Sequence, residues 1–265
     1  MGYFTPRELV AKASDAAFLK SNTSIKHTLI LAFLAGGYIA MGGLLALLVG
    51  GGMPGFAAEN PGLPKFVMGA VFPLGLILCV VGGADLFTGN TAYFIPAYMS
   101  QKVSFTDILR NWSLVYFGNF IGSLFVGYFL AYQTGLLAHS PWFDSITSIV
   151  QVKTTASFLT VFTKGVGANW LVAVAVWMAF AAQDICSKIL VIWFPVMAFV
   201  TMGFEHSVAN MFFIPTAIFY GVDVSWSSFL FDNLLPATLG NIVGGSLLTG
   251  LLYWYVYDSK DIMGK

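Results

Sequence analysis

Two eight-residue segments hold the residue types best able to do chemistry in this sequence. They are Gly83-Ala84-Asp85-Leu86-Phe87-Thr88-Gly89-Asn90 and Gly203-Phe204-Glu205-His206-Ser207-Val208-Ala209-Asn210. Both read Gly, one residue, an acid, four residues, Asn, and each interrupts a long apolar stretch. Ionisable groups at bilayer depth are expensive and by default mark a path for substrate or protons. Two matching interruptions in two halves of a membrane protein point to a transporter or channel site. Histidine suits such a place because its unperturbed pKa, about 6.5, moves either way with environment. His206 would therefore hydrogen-bond a passing solute or exchange a proton with it. Asp85 and Glu205, with Asn90 and Asn210, read as loop-stabilising residues, the carboxylates accepting backbone N–H groups.

The elements that must position these residues are apolar helices. The chain is 58% hydrophobic and 9% charged, against about 25% charged in a soluble domain. No Asp, Glu, Lys or Arg occurs between Arg110 and Asp144, Lys164 and Asp184, or Asp232 and Asp258. A spanning helix needs about 20 apolar residues, and six crossings follow: 28–50, 66–100 (broken), 107–136, 157–182, 189–220 (broken) and 232–256. The expectation is one integral membrane domain over 1–265, an all-α membrane protein of six transmembrane helices. Its parts are a first repeat at 28–136, a second at 137–257 and a cytoplasmic tail at 258–265. The net charge of zero implies no nucleic-acid or other strongly charged macromolecular partner.

Charge distribution sets the orientation. With both termini on one face, that face carries Arg7, Lys12, Lys20, Lys26, Lys102, Arg110, Lys188, Lys260 and Lys265, and the other only Lys65, Lys153 and Lys164. The positive-inside rule then puts both termini in the cytoplasm, in a multi-pass protein of the cell membrane. Thr5-Pro6-Arg7-Glu8 has the pattern of a capping box with Pro at the first helical position. Leu9, Ala13, Ala16 and Ala17 then share one face of an interfacial helix within 1–27. No cleavable signal peptide is expected. Cys79 and Cys186 fall in different environments and predict neither a disulfide nor a metal site.

The halves repeat at about 120 residues. Asn111 and Gly118-Asn119-Phe120-Ile121-Gly122 match Asn233 and Gly240-Asn241-Ile242-Val243-Gly244; Phe72-Pro73 matches Phe194-Pro195; Phe94-Ile95-Pro96 matches Phe213-Ile214-Pro215. Three spans per repeat is odd, so the second enters from the opposite side, giving an inverted 3+3 repeat with broken second and fifth helices. At each break a half-helix starts with free N–H groups and a positive dipole end, which together favour an anion.

These residues resemble the formate/nitrite transporter family over nearly the whole chain. The likeness is most specific at the two interruptions and at Lys164 followed by Asn169-Trp170-Leu171-Val172. It implies an aquaporin-like protomer in a homopentamer, with a pore in each subunit for small monovalent weak-acid anions. Formate is the first expectation, with nitrite or hydrosulfide the alternative, and Phe72-Pro73-Leu74-Gly75-Leu76 looks most like the formate branch. The resemblance implies Thr88 opposite His206, Asn169 as a pore-lining polar group, and Phe72, Leu76, Val172 and Phe199 as apolar constrictions. Lys153 and Lys26 are the candidate anion attractors at the two mouths. No cofactor, metal or enzymatic activity is implied. A heme or quinone subunit would need histidines on facing helices, and the spans offer only His206. No nucleophile motif supports an enzyme, and a water or glycerol pore would carry Asn-Pro-Ala, which is absent.

Overall fold

The computed structural model describes residues 3–258. The expected tail beyond residue 258, with Lys260 and Lys265, lies outside the described residues. Among the described residues, ten helices form two sets of five. The first set is α1 (Pro6–Ser21), α2 (Ile25–Gly50), α3 (Gly62–Gly82), α4 (Phe87–Met99) and α5 (Phe105–Tyr132). The second is α6 (Trp142–Thr155), α7 (Phe158–Ala181), α8 (Ile185–Thr201), α9 (Ser207–Phe219) and α10 (Trp226–Tyr257). A short helix, Pro54–Glu59, joins α2 to α3.

This is an all-α, aquaporin-like membrane fold, an inverted repeat whose second and fifth crossings are broken. Helices α2, α3, α5, α7 and α10 are long and apolar enough to span a bilayer. The fifth crossing is assembled from the shorter α8 and α9. α10 begins at Trp226, six residues before the expected 232. Ser225 caps that turn by accepting Ser228 N–H, and the Ser228 hydroxyl donates to Asp232 at 2.7 Å, so this carboxylate sits inside the helix with its own donor.

The tightest contacts are α2 on α5 and α7 on α10, and both depend on glycine. A Cβ on Gly36 would strike the main chain of Asn119, and one on Gly244 the Val166 carbonyl, so neither pair approaches this closely with a larger residue. α1 carries the expected capping box: Thr5 N–H and its hydroxyl both donate to Glu8 Oε2 at 2.7 Å. Its buried face is Leu9, Val10, Ala13, Ser14 and Ala17, packed chiefly on α4, with Ala16 only partly covered. An inner-leaflet surface helix accounts for only part of α1, because that face is built into the bundle.

Candidate functional site

Both breaks are made the same way. α3 ends at Gly83 (φ 78°) and α8 at Gly203 (φ 67°), left-handed positions that favour glycine. Ala84 N–H then returns to Cys79 O and Phe204 N–H to Phe199 O, closing the helix ends. Four residues later α4 and α9 start afresh, and one asparagine holds each gap. Asn119 Oδ1 accepts Phe87 N–H at 2.9 Å, while its Nδ2 donates to Asp85 O and Ala32 O. Asn241 Oδ1 accepts Ser207 N–H at 2.8 Å, and its Nδ2 donates to Glu205 O and Gly165 O.

The loop acids do something other than the sequence suggested. Neither side chain takes a backbone N–H; each is the acceptor of a buried cluster of side-chain donors. Asp85 Oδ1 accepts from Lys20 Nζ at 2.5 Å and Asn90 Nδ2 at 2.8 Å, and Asn90 donates on to Asn111 Oδ1 at 2.7 Å. Glu205 Oε2 accepts from Lys153 Nζ at 2.9 Å, Asn210 Nδ2 at 2.7 Å and Asn233 Nδ2 at 3.2 Å, and Asn210 donates to Asn233 Oδ1 at 2.7 Å. The carboxylates are buried, so unpaired they would be costly. Backbone N–H groups need no help from them because the asparagine amides already serve the loops.

This pairing revises the two lysines. Lys153, on α6, is only 14% exposed and is tied to Glu205. Lys26 stands exposed in the first turn of α2, and the place matching Lys153 is held by Lys20 of α1. α1 and α6 thus occupy corresponding positions and bring the same kind of cation to corresponding loops.

His206 caps α9: its Nδ1 accepts the Ala209 N–H at 3.1 Å. A nitrogen that accepts carries no proton, so the neutral imidazole keeps its proton on Nε2. Nε2 lies 3.0 Å from the Thr88 hydroxyl, in the first turn of α4. The two half-helix starts therefore meet through one hydrogen bond. With Nε2–H donating to Thr88 Oγ1, the threonine hydroxyl proton is left for a third partner. Thr91 Oγ1 donates to Thr88 O at 2.7 Å and fixes that turn. Asn169 is buried against this joint, its Nδ2 donating to Thr91 Oγ1 and Asn241 O. Its Oδ1 has no partner, so one buried acceptor remains open there.

A cavity of about 340 Å³ reaches from Lys65, Lys153 and Lys164 down to His206. Phe72 and Phe199 narrow its floor: their rings stand edge to face at 5.9 Å, and Phe199 stacks on the imidazole at 5.8 Å. Leu76 and Val172 are buried at 2% exposure and lie outside the lining. Sequence reasoning missed Lys20, Asn119, Asn241 and Thr91 as parts of the site. Asn119 and Asn241 were visible as repeat markers, but their contacts were not. Among the described residues no three His, Cys, Asp or Glu side chains group as metal ligands.

The model of the family described as formate/nitrite transporter matches residues 7–255. A probable formate transporter of Methanothermobacter thermautotrophicus is 46% identical over 96% of this chain and 97% of its own length. Among solved structures, an FNT family ion channel superposes with a TM-score of 0.86 at 30% identity, over 94% of this chain and 98% of that one. A pentameric formate channel with formate bound gives 0.78 at 35% identity, over 89% and 98%. These relatives are transporters and channels, not enzymes.

Proposed function

The chain belongs to the formate/nitrite transporter family, and on that premise we propose that it conducts a small monovalent weak-acid anion, formate first, through a pore in each protomer of a homopentamer. Formate is favoured over nitrite and hydrosulfide because two of the relatives above are named for it. The excess of Lys and Arg on the face that carries the termini supports a cytoplasmic position for both, at the cell membrane.

The observation that carries the reading is the 3.0 Å contact between Thr88 and His206: the imidazole lines the lysine-bearing cavity, and fully buried Thr88 stands behind it, outside the lining. The lysines and the two half-helix N-termini draw a carboxylate inward. Nε2–H of His206 commits the Thr88 oxygen as an acceptor, so the threonine hydroxyl donates to the arriving oxygen. The histidine cannot serve as a strong acid without giving up its cap on Ala209. The proton that neutralises the anion therefore enters from the cavity with it. Neutralisation matters at Phe72 and Phe199, because a bare charge at the bilayer centre costs about 2.5–3.5 kcal/mol on insertion scales.

The test is labelled-formate flux into proteoliposomes at two pH values, with nitrite and hydrosulfide as competitors. Saturable formate uptake, faster at acid pH and slowed in His206→Phe at both pH values, supports the proposal. Stronger exclusion of formate by nitrite or hydrosulfide than by formate itself reassigns the substrate. Undiminished flux in the variant removes His206 from the mechanism.

A further inference from the structure

Of the chain's twelve Lys and Arg residues, Lys65, Lys153 and Lys164 make up the whole cationic content of the face opposite the termini. All three line the same cavity. The acids do not follow them. Glu205 is the one carboxylate in the lining, and it is taken by Lys153, Asn210 and Asn233. Lys65 and Lys164 have no ion-pair partner among the described residues.

The repeat does not require this surplus. Glu205 N–H donates to the Lys164 carbonyl as Asp85 N–H donates to that of Leu31, so a leucine fills the corresponding place in the first half. Two uncompensated ammonium groups facing one apolar-walled cavity repel each other, and such walls focus their field. A monovalent anion relieves half of that charge. A dianion relieves all of it.

We propose that this cavity binds a small dianion, a dicarboxylate or an inorganic oxyanion, between Lys65 and Lys164, and that the bound dianion blocks the mouth instead of crossing. The block follows from charge: after taking up one proton such a molecule is still an anion, and Phe72 and Phe199 oppose a bare charge. The inference rests on the pore reading above for the block, but not for the binding.

Oxalate is the probe. Calorimetric titration into the purified protein should show saturable binding, weakened at least about tenfold in Lys65→Gln/Lys164→Gln, which is about 1.4 kcal/mol. Lys164→Arg should keep the binding, and Lys12→Gln on α1 should leave it unchanged. Oxalate should also reduce formate flux in the wild type, and the fraction blocked should fall in the double variant. Binding of equal strength in wild type and double variant, loss of equal size in Lys12→Gln, or no binding to folded wild type overturns the proposal. If formate fails to move in any protein, the pore reading fails, while the oxalate affinities still decide the site.

Discussion

Replacing Asn241 by alanine deletes the amide that spans the second break, and the cost can be worked from its three bonds. Oδ1 accepts Ser207 N–H at 2.8 Å; Nδ2 donates to Gly165 O at 2.8 Å and to Glu205 O at 2.9 Å. Gly165 lies inside α7, whose own ladder also uses that carbonyl, so losing this bond orphans nothing. Ser207 N–H opens α9 and Glu205 C=O lies in the break, so both lose their partner. Orphaned buried groups cost about 1–3 kcal/mol each, giving about 2–6 kcal/mol for the pair. The crossing around Gly240 and Gly244 is too close for water to replace the amide cheaply, which favours the upper half. For a chain of this size that is a fall in Tm of about 2–4 °C per kcal/mol. The assay is thermal unfolding by tryptophan fluorescence in detergent, with Asn119→Ala as the twin, since its amide clasps Phe87 N–H and Asp85 O in the same way. Both variants should fall by a similar amount. If both melt together with the wild type, the breaks are held by something other than these amides.

Thr88→Val keeps the shape and removes the hydroxyl, so formate flux should fall about tenfold or more, the scale of one lost charge-assisted hydrogen bond; undiminished flux would separate Thr88 from the path. Phe199→Ala deletes a ring that contacts both Phe72 and His206; electrical recordings should show a new anion conductance, and a silent membrane would count against the constriction. Gly36→Ala places a Cβ on the Asn119 main chain, whereas Gly37→Ala meets Val126 Cγ2 at 3.7 Å; the first should cost folded yield and the second should not. Glu8 is held below the ordinary carboxylate range by the Thr5 hydroxyl and N–H. Its contribution to α1 is present above that range and lost as pH falls through the lowered value. Exchange of the first-turn amides, corrected for intrinsic rate, should therefore rise on acidification, and Thr5→Val, which removes the hydroxyl donor but keeps the N–H, should weaken the pH dependence.

Why the breaks were legible and their fastenings were not follows from how each is encoded. Gly83 and Gly203 announce a helix end by residue type, and the acid and asparagine that follow them share one offset: Asp85 to Glu205 and Asn90 to Asn210 are both 120 apart. A single period therefore finds the second and fifth crossings and the sixth as the echo of the third. The lysines that neutralise those acids stand 133 apart, Lys20 and Lys153, because the chain connecting α1 and α2 to the break differs in length from that connecting α6 and α7. A search at 120 pairs neither lysine with the other, so α1 reads as a surface helix, α6 goes unseen as its counterpart, and Lys26 takes the place that belongs to Lys20. The carboxylates mislead for a related reason. An acid beside a helix start suggests a cap, but Asn119 and Asn241 come from distant helices to do that work, which leaves Asp85 and Glu205 free to hold a cation. What local pattern encodes is where the helices stop; what holds the two starts at hydrogen-bond distance is a set of contacts between helices, and those become visible only once α5 lies on α2 and α10 on α7.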